Sequence, residues 1–151
     1  MKKIHLLALA FCCIAIVSCS SQQARKFNDQ LVTIKNDVVT NTDMMMKGPD
    51  KKENTIKAGA YIKQKLGELE KVEPVKGGEA LKQAMIDDIK ALSMIYDIAV
   101  KLNNPDLEEA EGTELEKEQQ ELLNRIPAYD QAVNLEQQKF AKEKGLKIEN
   151  K

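Results

Sequence analysis

Charge is absent from Leu6 to Val17, and every residue in that stretch is apolar. The run falls short of the roughly 20 apolar residues that a membrane-spanning helix needs. Beyond it the pattern changes to apolar positions spaced by three and four, the repeat that places side chains on one face of a helix. Phe27, Leu31, Ile34, Val38 and Met45 predict a first helix to about Lys47, with polar Asn41 and Thr42 taking one turn of the stripe. Gly48-Pro49 stops it. Asp50, followed three residues on by Glu53, reads as an N-cap for a second helix. Its face is Ile56, Gly59, Ile62, Leu66 and Leu69, and its end falls near Val72, before Pro74 and Gly77-Gly78.

A third helix is expected from Glu79, with Leu81, Met85, Leu92, Ile95, Ala99 and Leu102 on its stripe, stopping at Asn103-Asn104-Pro105. Asp88 falls on that stripe, either at its edge in water or as a buried acid that needs a partner. Leu107 to Gly112 reads as an irregular turn, and Thr113 with Glu116 as a second capping box. Leu115, Gln119, Leu122, Ile126, Tyr129, Val133 and Phe140 keep one phase across Pro127. That continuity predicts one kinked helix rather than two, ended by Gly145. Four such helices with short connections most simply make an all-α, antiparallel up-down-up-down bundle over residues 26–145, with 146–151 as a tail. Aromatic residues are scarce, so the core should be mainly aliphatic.

The start of the chain decides where such a bundle would reside. Lys2 and Lys3 precede the apolar run and Ile16-Val17-Ser18-Cys19 closes it, the layout of a secretory signal peptide. Those four residues resemble the lipobox of bacterial lipoproteins. The resemblance implies cleavage between Ser18 and Cys19, diacylglycerol on the Cys19 thiol, and acylation of the new amino terminus. Ordinary secretion is the alternative, with cleavage after Ser20 and loss of Cys19. The distinction matters physically: one acyl chain binds a bilayer marginally, whereas two or three anchor durably. Residues 1–18 are then a cleaved leader and residues 19–25 a short, polar, lipidated tether. Ser20 is not the Asp that retains enterobacterial lipoproteins in the inner membrane, so the resemblance implies an outer membrane.

Composition narrows the chemistry. The formal net charge is −1, and loss of Lys2 and Lys3 makes the processed chain more acidic still; without a basic patch, no nucleic-acid partner is expected. Cys12, Cys13 and the single histidine, His5, all lie in the leader. Once Cys19 carries lipid, no disulfide, Ser-His-Asp or Cys-His arrangement, or His-bearing metal site can be assembled. No cofactor, metal site or enzyme activity is expected; a carboxylate-only mechanism would rest on Asp88.

Met44-Met45-Met46 could offer thioethers to copper(I), but consecutive helical positions point about 100° apart and fit packing better. Glu114, Glu116, Glu118 and Glu121, interleaved with Lys117 and Arg125, fit a solvated face better than a calcium site. Tyr61, Tyr96 and Tyr129, one per helix, could meet at a pocket or cover the core.

Phe27-Asn28-Asp29-Gln30-Leu31-Val32 at the start of the helical part and Gln138-Lys139-Phe140-Ala141 near its close are similar to a small helical surface lipoprotein family of leptospiral type. That resemblance implies an envelope location and supplies no catalytic residues. The expected role is a lipid-anchored binding or scaffolding module that meets the membrane through its lipid and an envelope protein as partner. A carrier of a small apolar ligand is the alternative. It would need an open core layer, such as Gly59 opposite Ala84 or Ala99.

Overall fold

The computed structural model describes residues 2–147, with side chains from Ser21 onward. It contains four helices: α1 (Lys2–Met46), α2 (Lys51–Glu70), α3 (Glu79–Leu102) and α4 (Glu109–Lys144). Among the described residues there is no strand. Each helix packs on the next, and α1 also meets α3 and α4, closing an antiparallel up-down-up-down bundle. Contacts between the first and last helices fix their opposed directions. Phe27 meets Phe140 edge to face at 5.5 Å, and Gln137 Nε2 donates to Asn28 Oδ1 at 3.0 Å.

Capping chemistry explains most of the boundaries. The Asp50 carboxylate accepts the Glu53 N–H at 2.9 Å and starts α2 as expected. Gly145 adopts φ 63°, and the Leu146 N–H reaches back to the Ala141 carbonyl at 2.8 Å, a glycine-dependent stop. Leu146 then packs against the core. The expected capping box at Thr113 is not formed, because α4 begins a turn earlier. Thr113 lies inside the helix and donates to the Glu109 carbonyl. Glu109 and Glu111 occupy the first turn, where acids favour the helix dipole. Further along, α4 runs unbroken through Pro127, whose missing N–H and ring kink a helix.

The tether expectation also needs correction. Ser21 to Arg25 continue α1 as helix, and Ala24 is buried in the core rather than strung out in solvent. The bundle therefore reaches to within a few residues of Cys19. On α2 the buried face is Thr55, Ala58, Gly59, Ile62 and Leu69, while Ile56 is left exposed. The Thr55 hydroxyl can take a buried place because it donates to the Lys51 carbonyl at 2.7 Å. On α1 the same device satisfies Thr42, which donates to Val38 O.

Two apolar clusters result. The larger joins all four helices, with Phe27, Leu31, Val38, Ile62, Leu69, Met85, Ile89, Val133 and Phe140 among its members. The smaller, Ile95, Ile98, Leu115 and Leu122, belongs to α3 and α4 alone. Apart from the Phe27–Phe140 pair, both are aliphatic.

A candidate functional site at the charged centre of the bundle

Asp88 is almost fully enclosed: its side chain is 2% exposed, although it belongs to an apolar stripe. Such a carboxylate must find a counter-charge or give up its own. Its counter-charge comes from α1. Lys35 Nζ stands 2.8 Å from Asp88 Oδ2 and 2.6 Å from Asp130 Oδ1 on α4, so one ammonium ties three helices together. The two carboxylates share the one ammonium, each at hydrogen-bond distance, with Asp130 at its more exposed side.

Electrostatics follow from that geometry. Burial pushes the Asp88 carboxyl above the usual carboxylate range, and the nearby Lys35 ammonium only partly pulls it back. Burial works on Lys35 in the opposite direction, but Asp130 and Asp88 outweigh it and hold the ammonium above its ordinary value. A lysine held protonated is a cation and donor, not a nucleophile. Chemically, the trio positions helices. A crevice of about 160 Å³ lies beside it in the α1–α4 seam, lined among others by Val32, Lys35, Asn36, Met85 and Gln137.

The other candidates are dispersed. Met44 and Met46 are exposed and Met45 is half-buried, so the three thioethers do not converge. Glu114, Glu116, Glu118 and Glu121 are all solvent-facing. Among the described residues no three carboxylates gather as a metal-ligand set. The tyrosines keep separate company. Tyr61 OH accepts from Asn41 Nδ2 at 3.1 Å, Tyr96 packs on Gly59, and Arg125 lies over the Tyr129 ring at 5.5 Å. Gly59 faces Tyr96, not Ala84 or Ala99: a methyl group there would stand 3.5 Å from Tyr96 Cβ, in ordinary contact. The layer that a carrier would need open is occupied at that point.

Ser18 and Cys19, the predicted cleavage and lipidation residues, have side chains outside the described residues. No helix among the described residues is long and apolar enough to cross a membrane. No protein-family model, curated protein or solved structure matches the chain.

Sequence reasoning found Asp88 but missed Lys35 and Asp130. The available signal was an acid on an apolar stripe, which requires a basic partner from another helix without saying which one.

Proposed function

We propose that this is a lipid-anchored cell-envelope protein, tethered through Cys19, whose helical bundle acts as a binding or scaffolding module rather than as an enzyme. The observation that carries the module reading is the outer face of α4. Ala128, Gln131, Ala132, Asn134, Leu135 and Gln138 line a shallow, uncharged groove of about 420 Å³. In a chain with 31% charged residues, this uncharged strip shares with the centre of a protein–protein interface its depletion of charge. Leu135 is 51% exposed there, and a partner would bury it.

The anchor reading rests on the apolar leader ending at Ile16-Val17-Ser18-Cys19. Both parts are tested on protein extracted gently from its own membrane. A denatured mass corresponding to a chain that starts at Cys19 and carries acyl groups supports the anchor; an unmodified chain starting at Ser21 refutes it. A photo-crosslinker at Ala132 should trap a protein partner, and Leu135→Glu should abolish the adduct. An adduct that persists in Leu135→Glu, or no adduct at all, refutes the module reading of this groove.

A further inference from the structure

The two ends of the bundle differ in charge. At the end where α1 enters, Phe27 lies against the α2–α3 connection, since a methyl group on Gly78 would stand 2.6 Å from Phe27 Cε1. The C-terminus of α4 closes on the same connection, with Lys144 Nζ 3.2 Å from the position of a methyl group on Gly77. This end-plate gathers Arg25 and Lys26 from α1, Lys71 and Lys76 from the connection, and Lys142, Lys144 and Lys147 from the close of the chain. Glu68, beside Lys71, and Glu70, Glu73, Glu79 and Glu143 offset them only in part. All seven cations are exposed except Lys144, which is half-buried with its ammonium over the Phe140 ring at 5.9 Å. At the far end, Glu108 to Glu121 holds seven glutamates and one cation, Lys117, and Lys47, Lys51, Lys52 and Lys101 from the other helix ends offset them in part.

The leader leaves the bundle through the basic end. Because Ser21 to Arg25 are helical, Arg25 follows Cys19 by only about 9 Å of helix axis. That distance is close to the ~8 Å Debye length at physiological ionic strength, within which an anionic surface still attracts a cation. We propose that the basic end-plate docks on an anionic lipid surface and stands the bundle upright, with its acidic end pointing away. Each lysine or arginine near such a surface is worth roughly fivefold in partitioning, so the surplus of cations is sufficient to fix an orientation that an acyl anchor alone leaves free. The inference rests on the anchor reading for its starting geometry.

The test is a lysine footprint. Protein purified from its membrane is placed in phosphatidylglycerol vesicles and in phosphatidylcholine vesicles, labelled with a membrane-impermeant amine reagent, and mapped by peptide mass. Lys26, Lys76 and Lys142 should be labelled several-fold more slowly in the anionic vesicles, and the difference should vanish in 0.5 M salt. Lys52, Lys101 and Lys117 should be indifferent to lipid charge. Equal labelling of the end-plate in both lipids would overturn the proposal. So would protection of the remaining end-plate lysines, Lys71 and Lys147, that survives in a Lys26→Glu/Lys76→Glu/Lys142→Glu protein whose melting shows it is folded. If the mass shows no acyl groups, the anchor reading alone fails. The same footprint is then taken with the protein added to preformed vesicles, where selective protection supports docking and its absence overturns it.

Discussion

Lys35→Met removes the cation that stands beside Asp88 while keeping the length and apolar volume of the side chain. The carboxylate is then buried without a partner, a loss that typically costs ~3–5 kcal/mol. Lys35 itself is 20% exposed and Asp130 half exposed, so water can reach part of the trio and the lower figure, about 3 kcal/mol, applies. For a domain of ordinary stability, about 5–15 kcal/mol, that is a large fraction, and it should lower the urea midpoint by roughly 1–2 M. The pH dependence gives a second handle. The folded state binds the Asp88 proton more tightly than the unfolded chain, so this group favours folding most below the ordinary aspartate value of 3.8 and progressively less as pH rises through its elevated folded value. Without Lys35 that value climbs further. The penalty of Lys35→Met should therefore be small in acid and fully developed near neutral pH. Adding Asp88→Leu should restore most of the loss, because an apolar residue needs no counter-charge. Urea unfolding of the four proteins in this cycle, at acidic and neutral pH, measures all three effects. A single variant within about 0.5 kcal/mol of the parent at neutral pH, or a double variant no better than the single, would refute the account of Asp88 as a buried charge that depends on Lys35.

Two glycines should respond in opposite ways to alanine. Gly59→Ala meets only ordinary contact in mid-helix and should stabilise by about 0.5–1 kcal/mol, whereas Gly78→Ala forces a methyl group into the Phe27 ring and should cost about 1–3 kcal/mol; thermal melts decide both. Phe140→Ala opens a cavity against Phe27 in the main core and should lose about 3–5 kcal/mol in urea unfolding. Asp50→Ala removes the cap of α2 and should cost about 1 kcal/mol, with amide exchange accelerating first at Glu53.

The helices could be read from the chain because each is amphipathic and because its stops are chemical. Gly48-Pro49, Asp50, Asn103-Asn104-Pro105 and Gly145 mark boundaries that the structure places within a residue or two. Local pattern was weaker where two faces competed. Ile56 is the more apolar residue, yet Thr55 is buried, because the register of α2 is set by Ala58, Ile62 and Leu69 and a threonine can satisfy its hydroxyl within the helix. The start of the folded part was placed too late for a similar reason: Ser21 to Arg25 is polar in composition, but its single alanine lies one turn before Phe27 and continues the α1 stripe. The ion trio was legible only in part. Lys35 and Asp130 have the spacing of solvent residues, and nothing local to α1 or α4 records that the antiparallel arrangement will bring both to Asp88.

The Phe27–Phe140 pair and the Gln137–Asn28 bond join segments separated by more than a hundred positions, whereas the α3–α4 and α2–α3 contacts join neighbours in sequence. Closing so long a loop costs chain entropy that hairpin-like contacts between successive helices do not incur. The seam between α1 and α4 should therefore form late in folding, after the neighbouring helices have paired. Until α4 arrives, the surfaces of Phe27, Leu31 and Lys35 lack their last neighbour, and a chain delivered from its amino terminus must hold them open to water, or to a chaperone, for the whole of that interval.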